Sequence, residues 1–373
     1  HYQEWLNSAI APELIEANLL SSAPHQEALN PWEEEEIPEA YYLLYPNADD
    51  EDRRNDGRLR NPELHRIRSP HVTGGGWFSS GYYIATGEKS DWGTYKPNTP
   101  RWDANKGKYQ KYEHPAGMPT EPYFPAIPLF IADHLLGHYD GWQEFKENYQ
   151  GEEMFTAWAF VLQNPNVPVN ITEGNKKTNC LITHYGVTFG LVGIWNWIAP
   201  DAPRHYKPDG TNYREKILTP LITPLATEGR VFNMFLDEDQ KVKTHKDVER
   251  ATIAIGTALE EHGCIVNIAC WNPEDGKGID DAIAAHGSEF LQQITWYTLD
   301  QYPFRRLIET QKKLNSLTYP VDLRLNTSRL PDLTDFIPSS GIINLKSAKA
   351  TGKSWQIKNL IKKWESEGKQ VIS

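Results

Sequence analysis

The sequence predicts an α/β protein built around a mostly parallel sheet flanked by helices, with an α+β region before it. Short apolar runs alternate with helical periodicity between about residues 166 and 295, and strands that alternate with helices form parallel sheets. Hydrophobic residues make up 39% of the chain and charged residues 24%, enough apolar side chains for a core and too many for a wholly disordered chain. At about 100–200 residues per domain, the 373 residues predict two or three domains.

Composition excludes several classes of protein. The sequence has no run of about 18 apolar residues and no secretory leader, so we expect no membrane span and a cytoplasmic location. Three cysteines without a CxxC pair exclude a disulfide framework and an ordinary zinc finger, and Cys180, Cys264 and Cys270 are predicted to be core residues. The net charge of −12 argues against a wholly basic nucleic-acid coat but leaves room for a local groove.

Residues 1–70 are predicted to be a helical and acidic region. Apolar residues at helical spacing predict one amphipathic helix at the start of the chain; they are Trp5, Ile10, Leu14, Ile15 and Leu19. The acidic stretch from Pro31 to Asp56 is interpreted as a solvated loop or linker. The missing initiator Met and an end inside a predicted strand indicate a fragment of a longer protein.

Residues 71–165 are predicted to be a strand-rich accessory region in which aromatic and basic residues alternate. Rings that stack bases and cations that follow phosphates are what a single-stranded nucleic-acid platform needs. An antiparallel sheet with a half-exposed aromatic face explains the same spacing slightly better, so both interpretations stay open. The aromatic residues are Trp92, Tyr95, Trp102, Tyr109 and Tyr112, and the cations include Lys96, Arg101, Lys106, Lys108 and Lys111.

Residues 166–295 carry the predicted parallel sheet. The predicted strands cover residues 167–171, 187–191, 231–236 and 264–268, and the predicted helices cover 175–185, a long segment ending at Gly263, and a short segment ending at Gly287. The long helix is expected to bury one apolar face, formed by Val248, Ala251, Ile255, Ala258 and Leu259.

Carboxylates follow two of these strands. Glu173 comes after the first strand, and Asp237 and Asp239 come after the third. Chemistry in a parallel sheet collects beyond the carboxyl ends of the strands, and three converging carboxylates would repel one another without a cation. Mg²⁺ prefers hard oxygen ligands and is often completed by substrate phosphates. With Asp280 further along the chain, a metal site is a better interpretation than helix-flanking acids alone.

These residues resemble the Toprim fold of bacterial primases, topoisomerases and some nucleases. Thr172-Glu173-Gly174, Asp237-x-Asp239 and Lys277-Gly278-Ile279-Asp280-Asp281 carry the resemblance. A closer resemblance, over about residues 1–300, is to Toprim-like domains of cyanobacterial plasmid replication proteins. Its further motifs are Arg53-Arg54-Asn55-Asp56-Gly57-Arg58-Leu59, Gly75-Gly76-Trp77, Lys111-Tyr112-Glu113-His114-Pro115 and the continuation Asn175-Lys176-Lys177.

The resemblance implies catalytic Glu173, Asp237 and Asp239, with these residues and Asp280 holding Mg²⁺ or Mn²⁺. It also implies a helicase-like ATPase after this region. The pattern departs from primases at Lys177, where primases usually carry an acid, at the missing glycine after Asp-x-Asp, and in having no zinc module. Lys176 and Lys177 are expected either to bind phosphate near the start of the helix or to form a solvated helix face. The remaining predicted phosphate or nucleic-acid ligands are Lys241, Lys277, Lys96, Arg101 and Lys111.

Residues 296–335 are predicted to be a linker, and residues 336–373 the first strand, loop and helix of a P-loop ATPase. Gly352-Lys353-Ser354 follows a predicted strand at 341–345 and precedes an apolar helical pattern. In a P-loop, backbone N–H groups and the Lys hold nucleotide phosphates, and Ser or Thr ligates Mg²⁺. We expect ATP to bind here in a longer protein, without hydrolysis by this chain, which lacks the later acidic strand end.

The leading functional hypothesis is a plasmid DNA replication protein that makes primers on single-stranded DNA by nucleotidyl transfer. A Toprim nuclease is the second hypothesis, and a non-catalytic origin- or template-binding module that loads a downstream helicase is the third. The expected partners are single-stranded or origin DNA, nucleotides and other replication proteins.

Overall fold

A computed structural model of the protein describes residues 1–24, 37–46, 55, 60–238, 242–305, 307–308, 325–333 and 351–369. The chain divides into two compact units, residues 1–299 and residues 300–373. The strands in the described residues are β1 (Leu20–Ser22), β2 (Gly76–Tyr82), β3 (Lys89–Pro97), β4 (Trp102–Asp103), β5 (Lys108–Tyr109), β6 (Val169–Glu173), β7 (Thr188–Leu191), β8 (Arg204–Tyr206), β9 (Asn212–Arg214), β10 (Val231–Phe235), β11 (Ile265–Cys270) and β12 (Thr295–Thr298).

The chain also forms α-helices. Those in the described residues are α1 (Tyr2–Leu6), α2 (Pro12–Asn18), α3 (Glu39–Leu44), α4 (Asn61–Ile67), α5 (Pro70–Thr73), α6 (Leu129–Leu136), α7 (Trp142–Asn148), α8 (Thr156–Gln163), α9 (Asn175–His184), α10 (Val242–Glu261), α11 (Ile279–His286) and α12 (Lys353–Ser366). Short 3-10 helices cover Glu153–Phe155, Thr223–Leu225, Ser288–Gln293 and Tyr302–Phe304.

The prediction of one amphipathic helix at the start of the chain is wrong. The apolar residues belong to two helices, α1 and α2, because Ala9 adopts a positive φ of 57° and Pro12 occupies the first position of α2. Proline suits a helix start and cannot continue a preceding helix. The spacing nevertheless identified core residues, since Trp5, Ile10, Leu14 and Ile15 are all buried.

A helix also lies inside the acidic stretch that was interpreted as a loop. α3 buries Ala40, Tyr41 and Leu44 in a cluster with residues of α4, α5 and the strands β2 and β3. The aliphatic and aromatic residues between the two acidic runs are therefore a packing element. The runs Glu33–Glu36 and Asp49–Asp52, with Asp56, lie outside the described residues.

The strand-rich region forms a three-stranded antiparallel sheet in the order β1-β2-β3. β1 comes from the first 24 residues of the chain, and its Leu20 pairs with Phe78 of β2. The region before residue 70 and the region after it thus share one sheet.

The predicted α/β fold class is confirmed. Five strands form the central sheet in the order β12-β11-β10-β6-β7, and β11, β10, β6 and β7 run parallel. The elements predicted for residues 166–295 start and end within about two residues of the observed bounds wherever a strand was predicted. The apolar face predicted for α10 is buried throughout, and so are Cys180, Cys264 and Cys270.

The sheet continues past the predicted boundary at residue 295. β12 pairs antiparallel with β11, placing Tyr297 opposite Ile268. A four-residue edge strand with one buried position has little apolar periodicity, which is why the sequence pattern did not indicate it.

In the second unit, α12 begins at Lys353 and ends one residue before the predicted Glu367. Gly352 precedes it in the left-handed conformation, with φ of 92°. The predicted strand at 341–345 and the loop residues 347–350 lie outside the described residues. No helix in the described part of the chain is long and apolar enough to cross a membrane.

Candidate functional site

Glu173 and Asp237 lie at the same edge of the central sheet. Glu173 is the last residue of β6, and Asp237 follows β10 by two residues. The two strands are parallel neighbours in which Thr172 pairs with Phe235, so their carboxyl ends meet at one edge, where α/β proteins place their ligands.

The backbone at Gly174 explains why a glycine follows Glu173. Gly174 has φ of 91° and ψ of 154°, a combination that is essentially restricted to glycine. The turn leads directly into α9, so that residues in the first turn of α9 face the strand ends. The Gly174 N–H also donates to the Leu191 carbonyl at 2.7 Å, which ties the turn to the end of β7.

Lys177, in the first turn of α9, interacts directly with the carboxylates Glu173 and Asp237. Its Nζ forms an ion pair with Asp237, and the two side chains are 16% and 12% exposed. Lys277 approaches the other oxygen of the same carboxylate, with Nζ 3.4 Å from Oδ2. The Glu238 N–H donates to the Lys277 carbonyl at 3.0 Å, which fixes the segment after β10 against the loop before α11.

The pKa values reflect burial and mutual interaction. Burial raises the pKa of Glu173, and Asp237 adds to the rise while Lys177 opposes it. Burial also raises the pKa of Asp280, again opposed by Lys177. For Lys177 itself burial acts to lower the pKa, but Asp237 and Glu173 outweigh it, so the pKa is raised. One buried ammonium therefore interacts with carboxylates from three elements.

Asp280 lies in the first turn of α11 and is 6% exposed. The neighbouring Asp281 caps this helix by accepting the Gly278 N–H at 3.3 Å. The Lys-Gly-Ile-Asp-Asp motif thus combines a helix cap with a lysine that approaches Asp237 and a buried acid that interacts with Lys177.

The donors present have the chemistry for a hard divalent cation. Carboxylate oxygens are the ligands that Mg²⁺ and Mn²⁺ prefer, and the Lys177 ammonium occupies a cation position beside Asp237. The described residues contain no group of three His, Cys, Asp or Glu side chains able to hold a metal. Asp239, the third predicted ligand, and Lys241 lie outside the described residues, so metal binding stays a prediction.

The aromatic residues of the accessory region divide into two groups. Trp92 and Tyr95 are buried at 3% and 0% exposure, so they belong to the core of the antiparallel sheet and offer no face to a base. Trp102, Tyr109 and Tyr112 are 56%, 60% and 37% exposed. Trp102 and Tyr109 pack edge to face at 5.1 Å across the β4–β5 hairpin. Of the five aromatic residues predicted to stack on bases, these three have an exposed ring.

Most of the predicted cations of this region already have carboxylate partners. Lys96 donates to Glu4 at 2.8 Å, and Lys176 lies 3.4 Å from the same Glu4 oxygen. Arg101 makes a bidentate pair with Glu113 at 2.7 and 3.0 Å. Lys111 is exposed. The carboxylate Glu4, which no sequence pattern singled out, thus joins α1 to β3 and to α9.

Burial by itself would raise the pKa of Glu4, but the hydrogen bond and charge of Lys96, together with Lys176, hold it below the ordinary value. Glu4 therefore stays ionised, and it neutralises part of the positive charge of Lys96 and Lys176.

A second feature absent from the predictions is a ladder of asparagine side chains across the sheet. Asn233 of β10 donates to Asn170 of β6 at 3.0 Å and accepts from Asn267 of β11 at 3.1 Å. The three residues are also backbone partners in the register. The sequence did hold a signal, because each of three apolar strands contains one Asn flanked by hydrophobic residues.

Comparison with known proteins gives similarities of sequence and of structure. Residues 157–290 match a family model described as a domain of unknown function, DUF3854. The whole chain is 33% identical, over 376 residues, to an uncharacterised protein of Picosynechococcus sp. strain PCC 7002. The chain spans 34% of the length of that relative.

The structural match is to the crystal structure of the zinc-binding and RNA polymerase domains of the Aquifex aeolicus primase. It has a TM-score of 0.41 and 14% sequence identity, and covers 83% of this chain and 58% of the primase chain. A likeness at this level carries no conclusion about fold or activity.

Proposed function

We propose that this chain performs primase-type nucleotidyl transfer on single-stranded DNA as part of a longer DNA replication protein. The observation that carries the proposal is the meeting of Glu173 and Asp237 at the carboxyl ends of two parallel strands, with Lys177 and Lys277 beside Asp237. Carboxylates and lysines together suit a substrate that brings phosphates and divalent cations.

The residues would divide the work as follows. Glu173, Asp237 and Asp239 would hold Mg²⁺ or Mn²⁺, with Asp280 nearby, and a bound cation would stabilise charge on the transferring phosphoryl group. Lys277, whose side chain is 56% exposed, would meet the incoming phosphates. Trp102, Tyr109 and Tyr112, with Lys111, would hold the template by stacking and by charge.

The wider context is also part of the proposal. The resemblance to plasmid replication proteins suggests a Toprim-type site, replication partner proteins and a helicase-like ATPase that continues from Gly352, Lys353 and Ser354 and binds ATP. The start of α12 at Lys353, with Gly352 at its N-terminus, supports this, because the N-terminus of a helix favours phosphate.

The test is primer synthesis on single-stranded DNA with Mg²⁺ or Mn²⁺, comparing the natural chain with Asp237→Ala. We expect the substitution to lower the rate by about 100-fold or more, since a metal ligand supplies several kcal/mol of charge stabilisation. Asp247→Ala is a matched control, because Asp247 is a half-exposed acid of α10 that pairs with Arg250. Equal activity of Asp237→Ala and the control would show that Asp237 is not a catalytic residue.

The same incubation separates synthesis from hydrolysis. Labelled DNA that is extended only when nucleotides are present supports nucleotidyl transfer, whereas metal-dependent degradation without nucleotides would assign the carboxylates to a nuclease.

A non-catalytic template-binding module is a second candidate, and one observation favours it. Lys177 neutralises Asp237 at a sequence position where the primase pattern has an acid. Calorimetric titration with Mn²⁺ tests this candidate: single-strand binding without any Mn²⁺ binding would select it over both enzymes.

A further inference from the structure

An exposed two-stranded ribbon projects from the first unit between β7 and β10. β8 and β9 pair antiparallel, and an isolated bridge between Ile198 and Leu218 closes the base. We call residues 198–218 the ribbon. Its sequence between Arg204 and Lys216 holds four Lys or Arg residues against two acids, Asp209 and Glu215, in a chain whose net charge is −12.

The base of the ribbon is fixed to the core. Trp197 and Ile222 are both 0% exposed, and Leu218 is 5% exposed. Backbone hydrogen bonds continue the pairing along both sides, from Thr219 N–H to the Trp197 carbonyl at 2.8 Å and from Ala199 N–H to the Ile217 carbonyl at 2.9 Å. An exposed tip on a fixed base can present side chains to a ligand in a defined arrangement.

Two arginines stand directly opposite each other on the ribbon. Arg204 of β8 pairs with Arg214 of β9 in the register, and like charges in opposite positions of an antiparallel pair are destabilising. Within the described residues neither guanidinium forms an ion pair with a carboxylate. Two positions further along β8, Tyr206 lies on the same face and is 73% exposed.

The opposite face carries a second ring. Tyr213 is 51% exposed and lies 5.3 Å from the His205 ring, with an interplanar angle of 31°. Lys207 Nζ is 6.0 Å from the centre of the Tyr213 ring. Glu215 is 3.4 Å from His205 on this face, so it does not neutralise the arginine pair.

The ribbon starts from the edge of the sheet that carries the candidate site. Leu191, the last residue of β7, pairs with Glu173. Trp195 follows four residues later, a distance that an extended chain covers in at most about 14 Å. Trp195 is 37% exposed, and Lys216 Nζ lies 5.6 Å from its ring. Rings and cations thus continue from the site edge onto the ribbon.

We propose that the ribbon binds single-stranded nucleic acid, with a phosphate held between Arg204 and Arg214 and a base stacked on Tyr206, which lies on the same face. A phosphate between the two guanidiniums relieves their repulsion, and arginine suits phosphate through its planar fork of donors. Bases of a single strand expose faces for stacking, whereas bases of a duplex do not. The proposal deepens the proposed function by naming where the strand lies, but binding itself requires neither metal nor catalysis.

The experiment measures the binding of a fluorescently labelled, 20-nucleotide oligothymidylate by fluorescence anisotropy, in the presence of EDTA and at several salt concentrations. Four variants are compared with the natural chain: Tyr206→Ala and the double variant Arg204→Gln/Arg214→Gln on the ribbon, and Tyr42→Ala and Arg250→Gln as controls. Tyr42 is 53% exposed and the Arg250 side chain 71% exposed, both outside the ribbon. Oligouridylate and a duplex of equal length are measured in parallel.

We expect Tyr206→Ala to weaken single-strand binding at least about 5-fold, which corresponds to the low end of base stacking. The double arginine variant should weaken binding about 10-fold and reduce the slope of log affinity against log salt by about 0.7, the contribution of one phosphate neutralised on a single strand. Its thermal stability should be equal or higher, because two opposed charges are removed. The controls should bind like the natural chain.

Unchanged affinity and salt slope in both ribbon variants would overturn the proposal, as would natural-chain binding that is absent or equally strong for the duplex. Equal loss for oligouridylate and oligothymidylate supports recognition of a single strand of either sugar. If the natural chain makes no primers while the ribbon variants lose oligonucleotide binding, the proposed function fails and the ribbon proposal stands.

Discussion

Lys177 interacts with three acidic side chains of the candidate site. Its ammonium pairs with Asp237 and also interacts with Glu173 and Asp280. In a group of buried carboxylates, some cation must offset the repulsion, and a lysine can do this in the absence of a metal. A divalent cation and Lys177 would therefore compete for the same carboxylates.

Substitution of Lys177 by Met tests this competition. We expect the affinity for Mn²⁺ to rise about 10-fold, because a competing charge worth about 1.4 kcal/mol at this position is gone. Without metal, the free energy of unfolding should fall by about 3 kcal/mol, since the carboxylates lose their partner. Calorimetric titration and urea unfolding measure the two effects.

The control for this experiment is Lys146→Met. This substitution breaks the ion pair with Asp133, which lies outside the site and whose side chain is 44% exposed. It should leave Mn²⁺ binding unchanged. Equal or weaker Mn²⁺ binding by Lys177→Met would show that lysine and metal do not share the position.

Among the elements, the asparagine ladder specifies how β6, β10 and β11 align. Parallel strands that are apolar along their length can slip in register, because a shift exchanges one hydrophobic residue for another. Asn170, Asn233 and Asn267 satisfy one another only when they lie side by side, and an unpaired buried amide is costly. The same register brings Glu173 and Asp237 to one edge.

Asn233→Ala should therefore lower the free energy of unfolding by about 2 kcal/mol, because it leaves the buried Asn170 oxygen without its donor. Combined with Asn170→Ala, the loss should be smaller than the sum by about 1 kcal/mol, since both substitutions remove the same hydrogen bond. Urea unfolding of the two single variants and the double variant gives this coupling energy. The control is Asn148→Ala, since Asn148 is exposed and forms its hydrogen bond within α7. Losses of unfolding free energy that are strictly additive in the double variant would contradict the ladder.

For the first unit as a whole, two histidines make stability depend on pH. Burial lowers the pKa of His71 and of His114 below the ordinary value, despite the opposing charge of Glu113. His114 also stacks on Trp92 with ring centres 4.9 Å apart. Below about pH 6.5 the two histidines become protonated in the unfolded chain while they are still neutral in the folded chain. The free energy of unfolding therefore falls as the pH falls through the folded pKa values.

We expect the free energy of unfolding to decrease between pH 7.5 and pH 5.5, as measured by urea unfolding followed by circular dichroism. The double variant His71→Gln/His114→Gln should show a smaller decrease over the same interval. Raised carboxyl pKa values, as at Glu173 and Asp280, act with the opposite sign at lower pH, because the folded state then binds more protons. An unchanged slope in the double variant would assign the dependence to other groups.

The local elements were predictable because their signals lie within a few residues. The apolar runs that became β6, β7, β10 and β11 were predicted within about two residues of their bounds, and glycines bounded α9 and α11. The break between α1 and α2 was missed, although Pro12 is visible in the sequence, because helical spacing continues across it. The edge strand β12 was missed because four residues carry too little periodicity.

The candidate site was predictable only in part. Its acids could be placed at strand ends, since parallel strands bring their carboxyl ends to one edge. The partners of its cations could not be predicted, because they lie far away in the sequence. Lys177 pairs with Asp237 at a separation of 60 residues, and Lys96 pairs with Glu4 at a separation of 92 residues. Spacing likewise did not distinguish the buried Trp92 and Tyr95 from the exposed Trp102 and Tyr109.

The alternation of strands and helices, the fold class and the placing of acids at the strand ends could all be predicted from the sequence, because each depends on neighbours along the chain. The tertiary structure alone decided which charges neutralise one another, which aromatic rings face solvent, and that Arg204 and Arg214 stand opposed on an exposed ribbon. Those properties depend on burial and on distances between residues far apart in sequence, which hydrophobic periodicity does not encode.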